Sequence, residues 1–394
     1  MTFDMTQGLR VPPLGRKLKL GFVGGGRGGL VGNWHFGGVR LSGQWDVVAG
    51  ALSSKPQTAL VSAKDWSIPT DRAYTSIVDM ARIEAARPDG IDAVTICTPN
   101  AHHAEAAKVF LSAGIAVIID KPLTHSLDTS VELAKAAQDS GCFVAVTYPY
   151  IHHAMIRQAR AMIANGAIGQ VRQVLAEYVQ DARVGPDDLS NPGTAWRRDP
   201  STVGRTSTTA DIGTHTIHLL EHVTGISATE VRADFHICGG PKTLEDTAFV
   251  KLRMSDDVPG HLWITQAAAG NYCGLRLRVY GDRGGLEWDQ EHPEQLHYAP
   301  LDAPQQVFHR GHGGGMLPQA EALSHLPRGH GEALTDAWAN LYSEIGISLA
   351  AQQAGIHLPQ GQVIYTPLEE GLRGMRFIEA CANSHEAGGT WVEI

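Results

Sequence analysis

Between Lys17 and Tyr148 the apolar residues fall in short, nearly unbroken runs separated by stretches of helical spacing. KLKLGFVG, WDVVAGAL, GIDAVTICT, GIAVIID and CFVAVTY read as strands, and residues 28–41, 101–112 and 126–140 read as helices. Strands that lack polar alternation are covered on both faces, so runs alternating with helices predict a parallel sheet between helical layers. Past Tyr148 the pattern changes. A helix over about 153–165 stops at the glycine of NGAIG. QVRQVLAEYVQ then alternates as a half-exposed strand does, a polar loop spans 181–207, and an amphipathic helix covers about 211–224. VRADFHICG, DTAFVKLRM, GHLWITQAA, GLRLRVYG and GGLEWDQ follow at close spacing with Gly and Asp turns, which predicts an antiparallel sheet. A glycine-rich loop over 311–331 and helices over 332–354 and 367–384 close the chain.

The first strand runs into GFVGGGRGGL, where Gly24, Gly26 and Gly29 form G-x-G-x-x-G between a strand and a helix. In that setting the first glycine turns the chain, the second lets backbone approach a pyrophosphate, and the third lets helix and strand pack. The helix N-terminus offers its amides to phosphate. With 44 glycines the pattern alone is weak, and its place between strand and helix is what points to a dinucleotide. Arg27 lies inside the turn. A second strand that binds the ribose 2′-OH ends on an acid. This one ends on Ser53, Ser54 and Lys55, which suit a 2′-phosphate and tilt the cofactor from NAD towards NADP. The alternative is that this loop faces water and NAD binds regardless. The division that follows is an arm over 1–16, a dinucleotide-binding α/β domain over 17–148, and an α+β domain over 149–394.

Length, charge and cysteines narrow the class. The 394 residues allow two or three domains. A net charge of −9 gives no support for nucleic acid or an anionic membrane, so a small-molecule partner is expected. Five dispersed cysteines without a C-x-x-C pair fit a reducing compartment. No run nears the roughly 20 apolar residues of a membrane span. A cytoplasmic protein is the expectation.

AVIIDKPLTHS places Lys121 at the tip of a buried strand, with Pro122 fixing the backbone after it and admitting a cis bond. Ligands of such sheets lie outside the carboxyl ends of the strands. There Lys121 is either a solvated strand end or a partly desolvated amine placed to move a proton beside nicotinamide. In TTADIGTHTIHLLEHVTG, Asp211 and His215 share a helix face, and His218 and His222 continue the stripe. Asp211 as a helix cap and the histidines as packing residues are the plainer reading. HLLEH also spells H-x-x-E-H, a zinc-peptidase pattern, but it lacks an evident third ligand and leaves the glycine turn unexplained, so no metal is assigned.

These residues resemble the Gfo/Idh/MocA oxidoreductases, the glucose–fructose oxidoreductase and inositol dehydrogenase family, over nearly the whole chain from Lys17. The carriers are GFVGGGRGG, TPNAHH, DKPLTHS where the family has E-K-P, GAIGQV, and DIGTH for D-x-G-x-H. The resemblance implies a Rossmann domain followed by an α+β domain whose open sheet mediates dimers or tetramers. It implies a catalytic set of Lys121, Asp211 and His215, with the formal base left open between Lys121 and His215. It places nicotinamide contacts on Thr98, Asn100, His103, Asp120 and Lys121. TYPYIHH departs from the family's N-Y-R-F-like stretch and detaches the substrate from that of any one member. Tyr150, Trp196, Arg197, Arg328 and His330 are the substrate-side candidates, the aromatic planes for a sugar ring and the arginines for an anionic group. The expected activity is hydride transfer between NAD(P) and a secondary alcohol of a sugar, polyol or glycoside. Its alternatives are an NAD-dependent glycoside hydrolase with retained cofactor and a non-enzymatic dinucleotide sensor.

Overall fold

The computed structural model describes residues 14–187, 190, 195–359, 361 and 363–394; most of the predicted N-terminal arm lies outside them. Two compact units emerge, the chain up to Tyr148 together with Trp338–Leu372, and Pro149–Ala337 together with Arg373–Ile394. The stretch Trp338–Leu372 therefore belongs to the first unit, not to the second domain to which its position in the sequence assigns it.

In the first unit, β1 (Leu18–Gly24), β2 (Trp45–Ala51), β3 (Ala93–Cys97), β4 (Ala116–Asp120) and β5 (Val144–Thr147) pair in parallel in the order 5-4-3-1-2. Each crossover carries a helix: α1 (Leu30–Ser42), α2 (Pro56–Asp65) and α3 (Ile77–Ala86), α4 (His103–Ser112), and α5 (Leu127–Ser140). All five residues of β4 are buried, as an apolar run covered on both faces requires. Side-chain oxygens of Ser76 and Ser126 cap α3 and α5 by accepting from Asp79 N and Thr129 N. The strand order reverses between β1 and β3, and the ends of those strands define the crevice where such sheets bind ligands.

The second unit is a nine-stranded sheet. It contains β6 (Val171–Val179), β7 (Ala228–His236), β8 (Thr247–Met254), β9 (Pro259–Thr265), β10 (Gly274–Gly281), β11 (Gly284–Asp289), β12 (Gln295–Pro300) and β13 (Gln306–His309). With the last strand, β15 (Val392–Glu393), the order is 13-12-11-10-6-9-8-7-15; β14 (Thr366–Pro367) instead pairs antiparallel with β5 of the first unit. All neighbours are antiparallel except β6 and β9, which run parallel. Helices α6 (Ala154–Ala164) and α7 (Thr214–Thr224) pack on the sheet. Val174, Ala176 and Tyr178 of β6 are buried, while Glu177 on the other face pairs with Arg276 and Arg278 of β10. Phe249 and Trp263 stack on neighbouring strands β8 and β9. The long helices α8 (Leu334–Ala354) and α9 (Leu368–Glu386) form where the sequence predicts them. Among the described residues, no helix is long and apolar enough to cross a membrane.

Candidate active site

The glycine turn is built by close contact. Gly24 has φ +75°, and a Cβ there would meet the carbonyl oxygen of Cys97 at 2.8 Å, so the end of β1 lies directly against the end of β3. A Cβ on Gly26 would meet Ser62 Oγ at 2.6 Å and Leu52 O at 2.7 Å. The tightest approach falls on Gly32, which the G-x-G-x-x-G pattern does not include: its Cβ would lie 2.1 Å from Gly25 O. The helix-to-turn packing that the sequence assigns to Gly29 is thus made one turn later, while Gly29 occupies the N-cap of α1. No side chain caps that helix, so no cap competes with an anion for its first amides. Thr98, just past β3, keeps its hydroxyl oxygen buried with no hydrogen-bond partner among the described residues. A narrow glycine cradle, an uncapped helix start and an orphan hydroxyl at the switch point together fit a dinucleotide.

Around the cradle the other cofactor candidates take definite places. Ser53 Oγ accepts from the Lys55 amide at 3.2 Å, and Ser54 and Lys55 are exposed at the start of α2. Arg27 donates its amide to Ser62 Oγ and its guanidinium to Asp65. Asn100 is buried in the 3-10 turn before α4. His103 is buried, with Nε2 2.8 Å from Thr98 O and Nδ1 3.1 Å from Pro122 O and 3.3 Å from Leu123 O. Its ring nitrogens therefore join the turn after β3 to the turn after β4, and its contribution is to set the spacing of Thr98 and Lys121. Burial lowers its pKa against the pull of Asp120 and these carbonyls.

Asp120 ends β4 and is buried; Lys121 after it is partly exposed, and the Lys121–Pro122 bond is cis. Burial alone would raise the Asp120 carboxyl, but His35, Lys121 and His103 outweigh it and hold the group below the usual carboxylate range. Its Oδ1 accepts from Thr147 Oγ1 at 3.0 Å and from the Lys121 amide at 2.9 Å, and His35 Nε2 stands 3.5 Å away. Behind it His35 Nδ1 lies 2.6 Å from Tyr342 Oη, which lies 3.2 Å from Thr95 Oγ1. Sequence reading missed His35, Thr147 and Tyr342; His35 and Tyr342 are 307 positions apart.

In the second unit the first three residues of DIGTH leave the α-helical path. Thr209–Gly213 forms a π-helical turn leading into α7, a distortion often found at functional sites. Asp211 lies in that turn, and Gln266 donates from Nε2 to its Oδ2 at 3.1 Å. Gln266 is itself fixed, since Oε1 accepts from Thr208 Oγ1 at 3.0 Å and Nε2 also reaches Gln180. His215 is buried, edge-on to Tyr150 with ring centroids 4.8 Å apart and 6.2 Å from the ring of Tyr178. Tyr150 is buried too, its hydroxyl 2.5 Å from that of Tyr178, whose hydroxyl contacts Cys273 Sγ. Burial raises both phenols. Tyr178, Gln266 and Thr208 were not candidates from sequence, since strand alternation marks a position as buried without marking its hydrogen bonds.

The remaining substrate candidates lie on loops. The Arg197 guanidinium lies over the Trp196 ring, 4.4 Å from its centroid. Arg328 is exposed and donates to the carbonyls of His312 and Gly313, bracing the glycine loop. His330 is exposed, and its carbonyl accepts from the buried Arg310. In HLLEH, Glu221 accepts two hydrogen bonds from Arg373 and one from the Ala228 amide, so its carboxylate is spent on a structural ion pair.

His153 gives a pH prediction. Burial, with the charge of His152, pushes its pKa down to about 3 against a hydrogen bond with Gln290. The unfolded imidazole titrates near about 6.5, so below that pH the unfolded chain binds the extra proton and the folded one does not. The stability supplied by the neutral ring is full above about pH 6.5 and falls steadily towards pH 3. Between pH 7.5 and 5 the melting temperature is expected to fall more in the parent than in His153→Phe, and equal falls would show that His153 is not held neutral.

Both units have counterparts among known proteins. Residues 18–148 match the family described as an oxidoreductase family with an NAD-binding Rossmann fold, and residues 156–287 match the GFO/IDH/MocA C-terminal domain. An uncharacterised oxidoreductase of Bacillus subtilis, YfiI, is 30% identical over 99% of this chain and 100% of its own. Levoglucosan dehydrogenase of Pseudarthrobacter phenanthrenivorans is 24% identical over 80% of this chain and 86% of its own. The crystal structure of an inositol dehydrogenase homologue from Azotobacter vinelandii, complexed with NADH and myo-inositol, superposes with TM-score 0.86 at 31% identity. That superposition covers 97% of this chain and 99% of that one.

Proposed function

The chain belongs to the Gfo/Idh/MocA family of NAD-binding oxidoreductases, and we propose that it transfers hydride between NAD(P) and a secondary alcohol of a sugar, polyol or glycoside. The observation that carries this reading is the Gly24–Cys97 junction, with the orphan Thr98 hydroxyl and Asp120–Lys121 at neighbouring strand ends. The substrate class is supported by relatives named levoglucosan dehydrogenase and by the neighbour that holds NADH with myo-inositol.

When bound, the nicotinamide supplies the site that takes or gives hydride. The amides at the start of α1 and the Gly24–Gly26 backbone would hold the pyrophosphate, and Thr98 and Asn100 would be the contacts of the nicotinamide. Lys121 holds and polarises the reacting hydroxyl, and the buried Asp120 carboxylate immediately precedes it in the chain. His215 takes or relays the proton, its ring packed edge-on to Tyr150 and tilted against Tyr178. Asp211, held by Gln266, is the third member of the proposed catalytic set. Trp196 and Arg197 offer a stacked aromatic and cationic surface to the substrate.

The test is a panel of sugars, polyols and glycosides, each with NAD⁺ and with NADP⁺, monitored by absorbance of the reduced cofactor. Reduced cofactor stoichiometric with product supports the reading. Free sugar released from a glycoside without reduced cofactor would replace it with redox-neutral cleavage.

A further inference from the structure

Rossmann sheets distinguish NAD from NADP beside the end of the second strand, where a carboxylate accepts from the ribose 2′-OH and repels a 2′-phosphate. In this chain β2 ends at Ala51 and no acid follows until Asp65, in the last turn of α2. Asp65 is already engaged: Arg27 Nε donates to Oδ2 at 2.5 Å and Arg27 Nη2 to Oδ1 at 2.9 Å. Those bonds hold the Asp65 carboxyl below its usual range.

The backbone of Arg27 is fixed at this corner. The Gly26 amide donates to Leu52 O at 3.1 Å, the Arg27 amide donates to Ser62 Oγ at 2.9 Å, and Ser62 Oγ donates in turn to Thr58 O. The residue therefore stays where the glycine turn meets the residues after β2, while its side chain is 62% exposed and that of Asp65 38% exposed. Exposed pairs of this kind are screened and break at little cost. A phosphate dianion offers a guanidinium the same two-pronged geometry with more charge. Ser53, Ser54 and Lys55 stand on the same corner.

We propose that Arg27 is the cation that receives the 2′-phosphate of NADP, and that Asp65, by holding Arg27, sets how far this chain separates NADP from NAD. With NAD the guanidinium stays on Asp65; with NADP it moves from the carboxylate to the phosphate. The inference rests on the dinucleotide-binding part of the function above and not on the substrate.

The test measures dissociation constants of NADPH and NADH for the full chain by nucleotide fluorescence, at low and at moderate ionic strength. Asp65→Asn is expected to tighten NADPH by roughly fivefold, and NADH by less than about twofold. Arg27→Ala is expected to weaken NADPH by roughly tenfold and leave NADH within about twofold. In Arg27→Ala the gain from Asp65→Asn vanishes, because the two residues act through one contact. Moderate salt reduces the NADPH preference of Asp65→Asn. An equal effect of Asp65→Asn on both nucleotides, or a gain that survives without Arg27, overturns the proposal. Binding of neither nucleotide by the parent protein overturns the dinucleotide reading itself, and this inference with it.

Discussion

Lys121→Ala is expected to lower kcat with the best substrate by about 10²–10⁴-fold, the range lost with a positioned acid–base group. The affinity for NADH is expected to stay within about threefold, because the pyrophosphate is held by the glycine turn and α1, which the substitution leaves intact. The split between turnover and binding is the diagnostic. Lys121 follows a carboxylate whose Oδ1 is engaged by Thr147 and the Lys121 amide, so the backbone at this point is fixed from behind. Truncating the side chain removes the amine without releasing that anchor. Steady-state rates together with nucleotide fluorescence check the result; turnover within tenfold of the parent would remove Lys121 from the proton-handling set.

Arg72→Leu is expected to have the largest effect on stability. Its guanidinium is bonded to Glu84, with Nε 3.0 Å from Oε1, and Tyr74 donates to the same oxygen at 2.8 Å. The side chains are 6% and 0% exposed. Removing one member of a buried pair strands the other charge in low dielectric, at a cost of about 3–5 kcal/mol. Replacing both, as Arg72→Leu with Glu84→Leu, removes the stranded charge and recovers most of that loss. The urea midpoint at unchanged slope reads both variants. A loss below about 1 kcal/mol in the single variant would mean that water reaches Glu84 after all.

The fold was legible wherever its cause is local. Buried parallel strands announce themselves as runs such as AVIID, and the second sheet by alternation, because burial on two faces or one face writes directly into neighbouring residues. The glycine turn was legible for the same reason. The supports of the site were not. Asp120 is held by His35 and Thr147, and His35 by Tyr342, three residues that no periodicity connects and that only the folded sheet assembles. Gln266 reads as the end of a strand, and its hold on Asp211 depends on a π-helical turn that the spacing of Asp211 and His215 does not reveal. Arg328 shows both sides. Its suitability for an anionic group was legible from its residue type, whereas its hold on the carbonyls of His312 and Gly313 was not.

The late return of the chain to the first unit has a genetic consequence. Trp338 packs on the His35 ring and would collide with any Cβ at Gly38, the Trp45 indole donates to Tyr342 O at 2.8 Å, and Thr366 and Pro367 extend the edge of the sheet beside β5. A recombination event that exchanged only the codons up to Tyr148 would replace the partner of Tyr342 at position 35 and leave Tyr342 itself behind. The nucleotide-binding half of this protein is inherited as two separated stretches of one reading frame, and each must travel with the other to keep the carboxylate behind Lys121 in place.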